Sequence, residues 1–210
     1  MDDSGNRPTA QLATAVGVAA VASAALLVTY FAAGGGPFGI MNDYGNAAIG
    51  VLSAGLAWRL RRHVPVLVVC AAVVGAAATV VGSALVVSET TGFFLAGLVS
   101  SVGFAGIGVW LVVLHRSTTQ GPRHLRTLGL VAGALMALGI VVVPGILMRL
   151  DDLSTAPWWI WIGELGWLGS YLAYPAWALR RGIVEWRLTP VSRGSASGGP
   201  TWRPGRRPRG

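Results

Sequence analysis

Val64-Pro-Val-Leu-Val-Val-Cys-Ala-Ala-Val-Val-Gly-Ala-Ala-Ala-Thr-Val-Val-Gly-Ser-Ala-Leu-Val-Val87 carries no charged side chain from end to end. At about 1.5 Å per residue, a helix of this length crosses the roughly 30 Å hydrocarbon core of a bilayer. Immediately before it stand Arg59, Arg61, Arg62 and His63, and just after it stand Ser88 and Glu89. An uncharged run with bases at one end and an acid at the other reads as a transmembrane helix with its N-terminal end in the cytoplasm.

Outward from this run the same pattern recurs. Apolar stretches cover about residues 11–33, 37–60, 93–114, 128–148 and 158–179, and with 64–87 they make six. Backbone groups in lipid must be paired within their own segment, so the runs are expected to be helices, and the alternation of a transmembrane barrel strand is absent. The expected fold class is an all-α polytopic membrane bundle of six transmembrane helices. Composition agrees: of 210 residues, 53% are hydrophobic and only 11% charged, with mean hydropathy +0.62. A soluble domain carries about a quarter charged residues.

The net charge of +8 is explained by position. Arg59, Arg61 and Arg62 lie between the second and third runs, and Arg116, Arg123 and Arg126 between the fourth and fifth. Eight further arginines follow the sixth run, from Arg180 to Arg209. The alternate loops hold Asp43, Glu89, Asp151 and Asp152, with Arg149 as their one base. The positive-inside rule then places both termini in the cytoplasm, with residues 1–10 as a short N-terminal segment. Nucleic acid is not expected as a partner. Asp2 and Asp3 beside Arg7, ahead of a long apolar run, do not fit a cleaved signal peptide. Every basic residue other than histidine is arginine, which resembles the usage of a GC-rich bacterium and points to a bacterial inner (plasma) membrane.

Residues 189–210 are rich in Gly, Pro, Ser and Arg and have little apolar surface to bury, so they read as a disordered basic cytoplasmic tail able to touch anionic lipid. Between the sixth run and this tail, Arg180 to Leu188 alternates charged and apolar residues, as either a short interfacial segment or a solvated tail would. Gly129 and Gly133 form a GxxxG, Gly97 and Ser101 share its spacing, and Gly163, Gly166 and Gly169 recur every third residue. Such positions let helix backbones approach, either within the bundle or across a seam to a second copy or another membrane protein. Trp158, Trp159 and Trp161 suit an aromatic belt at the membrane surface.

Recognisable chemistry is sparse. Cys70 is the lone cysteine, which leaves no disulfide or thiolate metal site within the chain. His63, His115 and His124 are expected in or beside the cytoplasmic loops, away from any buried haem. No catalytic, metal or cofactor motif is present, and the chain reads as non-enzymatic, with no cofactor.

One polar constellation stands inside the apolar runs. If the second helix begins at Pro37, Asn42, Asp43 and Asn46 lie roughly 9 Å inside it, and Asp43, Asn46, Gly50, Ala54 and Ala57 share a face. Glu164 sits at a similar depth, roughly 10 Å from Pro157. Its face runs on through Tyr171 and Pro175, flanked by Trp167 and Tyr174. Pro144 and Gly145 can break the fifth helix at that level, and Arg149 can reach down toward the carboxylates. The candidate intramembrane polar site is therefore Asn42, Asp43, Asn46, Arg149, Glu164, Tyr171 and Tyr174. An ionisable residue within a span is costly unless paired or hydrated, which points to a solute or proton site. The competing expectation starts the second helix at Tyr44, leaving Asp43 in a loop and Glu164 paired to Arg149 as a structural lock.

The stretch Phe38-Gly-Ile-Met-Asn-Asp-Tyr-Gly-Asn46, continuing through Trp58, resembles a segment of uncharacterised small bacterial multi-span membrane proteins with a Phe-Gly-x-x-Asn-Asp lead into the second helix. The resemblance implies no activity, only that Asn42 and Asp43 act together. The expected function is a small transporter, channel or ligand sensor with an outward-facing intramembrane polar site. The alternative is a membrane scaffold or assembly subunit that binds another membrane protein through its Gly-rich helix faces.

Overall fold

The computed structural model describes residues 6–118 and 122–188, and every regular element among them is helical. The first three rods are α1 (Asn6–Ala32), α2 (Phe38–Arg59) and α3 (Val66–Val87), followed by α4 (Phe93–Ser117). The fifth rod is α5 (Arg123–Ala137), a 3-10 stretch (Leu138–Val142) and the short α6 (Val143–Leu147). The sixth is α7 (Ile160–Leu168), a π-helical turn (Gly169–Ala173) and α8 (Tyr174–Leu188). Residues 189–210 and the first five residues, to which the tail and part of the N-terminal reading apply, lie outside the described residues.

Each rod packs on its sequence neighbours, and α8 returns to lie along α1, so the rods close into a ring. Short connections force neighbouring rods to run antiparallel, which gives the bundle two distinct ends. At one end Gly34, Gly35 and Gly36 all take positive φ, letting the chain turn sharply between α1 and α2. At that end too, the Asp151 carboxylate accepts hydrogen bonds from Gly92 N (2.8 Å) and Leu95 N (3.2 Å), capping α4 from a distant loop. Asp152 beside it accepts from Ser154 N at 2.8 Å, which holds its carboxyl below the usual range. The other end gathers the arginines, where Arg126 Nε donates to the His115 carbonyl at 3.0 Å.

The ring's outer surface is apolar. Val66 (76% exposed), Leu67 (79%) and Leu147 (80%) project outward, as do Val28, Val51, Val74 and Leu172. A water-soluble monomer does not present such a surface on all sides. Four helices, Arg7–Ala32, Val66–Val87, Phe93–Ser117 and Arg123–Leu147, are long and apolar enough to cross a membrane. The protein is therefore an all-helical membrane-embedded protein. The two rods outside that set are α2, which carries Asn42, Asp43 and Asn46, and the sixth, which carries Glu164 and a π turn.

Small residues make the close packing possible. A Cβ on Gly75 of α3 would lie 2.5 Å from the Gly103 carbonyl oxygen of α4 and 3.1 Å from Gly106 Cα. Gly129 and Gly133 meet α4 and α8 in the same way, through His115, Trp177 and the Gly108 carbonyl, while Gly163, Gly166 and Gly169 face the fifth rod. The glycine pattern is thus spent within one chain. The largest buried side chains, Trp110, Trp177 and Tyr174, fill the half nearer the arginines together with Leu56, Leu111 and Leu114.

Several boundaries differ from the expectation for a physical reason. The stretch from Arg180 to Leu188 continues α8 as helix, and Gly182 lets it press on Thr14 and Ala10 of α1. Arg181 pairs with Glu185 at 3.0 Å along the same stretch. His115 belongs to the last turn of α4 and is buried, accepting from Trp177 Nε1 at its Nε2 over 2.7 Å, so it is a core group and not a loop residue.

Candidate intramembrane polar site

α2 begins at Phe38 with Pro37 ahead of it, so Asp43 lies within the helix and the loop alternative is set aside. Pro at this position needs no donated N–H and has its φ preset, which is why the helix starts there. Asn42, Asp43 and Asn46 are all buried. Asn42 and Asn46 stand one turn apart on one face. Between them comes Ser23 of α1, whose Oγ lies 2.8 Å from Asn42 Oδ1, 3.0 Å from Asn46 Oδ1 and 3.2 Å from the Asn42 carbonyl oxygen. Gly45 permits this approach, since a Cβ there would lie 2.9 Å from Ser23 Oγ.

The sixth rod closes the cluster. Tyr171 OH lies 2.9 Å from Asn46 Nδ2, 3.0 Å from Asn46 Oδ1 and 3.3 Å from Asn42 Oδ1. Tyr171 sits in the π turn, whose extra residue shifts the register of the side chains that follow it. π turns of this kind recur at functional sites. One turn before it, Trp167 donates from Nε1 to Ser101 Oγ of α4 at 2.8 Å and meets the Tyr171 ring edge-on at 6.0 Å.

Beside these groups lies a cavity of about 20 Å³. Asn42, Asp43 and Asn46 line it from α2, Val86 from α3, Phe93, Gly97, Ser100 and Phe104 from α4, and Trp167 and Tyr171 from the sixth rod. A space of roughly 10–15 Å³ already holds a water molecule, so this one is water-sized. Asp43 borders the cavity, 5% exposed, and its Oδ2 is buried with no hydrogen-bond partner.

The other expected site residues separate from this cluster. Glu164 is half-buried on α7, with Oε1 sealed from solvent and unpartnered, and it does not border the cavity. At 100° per residue it shares the Tyr171 face, roughly 10 Å nearer the glycine-turn end. Arg149 is exposed and forms no lock with either carboxylate: among the described residues the one arginine–carboxylate pair is Arg181–Glu185. The cause is local. Arg149 has φ 54°, and with Arg149 N bonded to the Ile146 carbonyl and Leu150 N to that of Gly145, it serves as the left-handed stop of α6. Its side chain leaves with the backbone that turns away. Tyr174 also parts from the site. Fully buried, it bonds Ser53 of α2 at 2.8 Å and stacks on Trp177 at 5.6 Å, nearer the arginine end.

Ser23 and Ser100 are not singled out by the sequence, which marks Ser101 only as a helix-packing residue and Trp167 only as flanking the site. Ser23 had a signal, as the single hydrogen-bonding side chain in the long apolar stretch between Thr14 and Thr29. The serines of α4 had none that set them apart from helix-packing residues. Compared with known proteins, the chain matches no family model, no curated protein and no solved structure.

Proposed function

We propose that this is a multi-pass protein of the cell membrane, crossing it six times with both termini in the cytoplasm, which takes a small polar solute from the outside into the chamber beside Asp43. It works as a small transporter, channel or ligand sensor, without covalent chemistry. The observation that carries this reading is the buried, unpartnered Asp43 oxygen beside a cavity lined from four rods. A carboxyl group at this depth costs several kcal/mol unless something meets it, so a purely structural role leaves the expense unexplained. The fifth and sixth rods, which pack on each other, are both interrupted, as discontinuous helices are in transport proteins. A scaffold working through glycine faces has less support, because those faces are engaged within the chain. The arginine pattern and the resemblance to bacterial multi-span proteins support a bacterial inner membrane as its location.

Topology is tested with reporter fusions. Cytoplasmic reporters after Arg62, Arg126 and Arg181 are expected to be active, and periplasmic reporters after Gly92 and Leu153, because all arginines but Arg149 fall on one side. A periplasmic signal from the 115–127 loop would overturn the six-span arrangement.

The chamber is tested by access. In a Cys70→Ser background, Ser100→Cys places a thiol on the cavity wall and Ala132→Cys places one in the closed core. Ag⁺ added outside, a membrane-impermeant thiol reagent the size of a bare alkali-metal ion, is expected to label the Ser100 position about tenfold faster than the Ala132 position. Equal, negligible labelling of both would remove the outward-facing chamber.

A further inference from the structure

We propose that the chamber binds one small monovalent cation, stripped of most of its water, with the Asp43 carboxylate as its counter-charge. This rests on the reading above and names the solute class.

Three observations converge on it. The first is size. About 20 Å³ accommodates a single water or a bare alkali-metal ion and leaves no room for an organic molecule.

The second is the balance of donors and acceptors. The side chains of Ser23, Asn42, Asn46 and Tyr171 satisfy one another through their hydroxyl and amide hydrogens. Asp43 Oδ2 is the buried acceptor left without a donor. An unpartnered carboxylate oxygen on the wall favours a cation and rejects an anion. Oxygen donors of this hard type suit alkali and alkaline-earth ions.

The third is charge. No arginine, histidine or other cation of the described residues lies within 4.0 Å of Asp43. One carboxylate balances one positive charge, whereas a divalent ion would remain with an uncompensated charge at hydrocarbon depth. Among the described residues no group of three His, Cys, Asp or Glu side chains gathers that could hold such an ion. Trp167 and Tyr171 form a ring pair on the cavity wall.

The test uses the full-length protein purified in detergent with choline as the sole background cation. Na⁺, K⁺ and Li⁺ are titrated by calorimetry, and the thermal midpoint is followed at each concentration. At least one of these ions is expected to bind saturably, one per chain, and to raise Tm as a ligand of the folded state does. Asp43→Asn preserves shape and removes the charge. It is expected to weaken that binding about tenfold or more and to abolish the Tm rise. Asn46→Ala, which removes an oxygen and keeps the charge, is expected to weaken binding and change the order of preference among the three ions, and it serves in place of Asp43→Asn if that variant fails to fold. A wild-type Tm that these ions raise no more than choline does would overturn the proposal, as would undiminished binding by Asp43→Asn. So would proteoliposomes that dissipate a pH gradient at a rate indifferent to all three ions, since the solute would then be the proton alone. In each of these cases the labelling result at the Ser100 position still stands or falls by itself, so a failed ion assignment is distinguishable from a failed chamber.

Discussion

Trp177→Ala is expected to lower the stability of the folded bundle by about 3–5 kcal/mol, the range for emptying a buried tryptophan site. Trp177 is fully buried, stacks on Tyr174 at 5.6 Å and meets Trp110 edge-on at 6.3 Å. In a membrane protein the unfolded side chain sits in lipid, so transfer from water contributes little, and what is lost is close packing and the polar contact. The polar contact is large here. Trp177 Nε1 donates to His115 Nε2 at 2.7 Å, and its removal leaves a buried acceptor without a partner, a cost of about 1–3 kcal/mol. Trp177→Phe separates the two effects: it restores part of the packing and is expected to lose about 1–2 kcal/mol. The measurement is reversible unfolding of the purified protein in mixed micelles. A loss below about 1 kcal/mol for the alanine variant would show that this cluster does not hold the arginine end together.

Gly75→Leu carries the second large effect. The added Cβ would stand 2.5 Å from the Gly103 carbonyl oxygen, 3.1 Å from Gly106 Cα and 3.2 Å from Ile107 N. All three obstacles are backbone, so no rotamer change relieves them and α3 must move away from α4. Overpacking costs about 1–3 kcal/mol where side chains can adjust, and backbone against backbone belongs at or above about 3 kcal/mol. Separation would also carry Val86 away from Ser100 and Phe104 and open the polar chamber to lipid. Gly55→Ala is the matched control. Its Cβ would find Leu12 at an ordinary 3.7 Å, and alanine favours helix over glycine by about 1 kcal/mol, so it is expected to be neutral or stabilising. Equal thermal midpoints for the two variants would refute the close backbone contact.

The contrast between Asp43 and Arg149 shows where reading a chain one residue at a time stops. Asp43 is buried within α2, and that depends on a local matter, the start of the helix just after Pro37, and on a general cost, that of a carboxylate facing lipid. Arg149 was placed wrongly. Its long side chain could have reached the carboxylates from a continuous fifth helix. The fifth rod instead tightens to a 3-10 stretch before Pro144 and ends in a left-handed residue, and a break of that kind redirects everything after it. Tyr174 and Tyr171 were grouped because they neighbour one another on a regular helix. Their hydroxyls in fact meet Ser53 and Asn46, which stand two turns apart along α2.

Charge-free length, the arginine asymmetry and the absence of strand alternation belong to the sequence alone. They decide that the chain is helical and made for a bilayer, because a backbone in hydrocarbon has few ways to satisfy its own hydrogen bonds. The burial of Asn42, Asp43 and Asn46 follows from the same solvent, which penalises polar groups on the lipid side. What only the tertiary structure decided is which partners these groups meet. Ser23 comes from α1 because Gly45 lets two backbones close in, Tyr171 because a π turn shifts the register of the sixth rod, and Trp167 because Ser101 of α4 stands within reach. Ring closure of α8 onto α1 and the gathering of a water-sized space beside one carboxylate depend on contacts between residues more than a hundred positions apart. No local pattern encodes those, since apolar helices in lipid have no hydrophobic preference for one neighbour over another and sort by the shape of small residues and the pairing of a few polar ones.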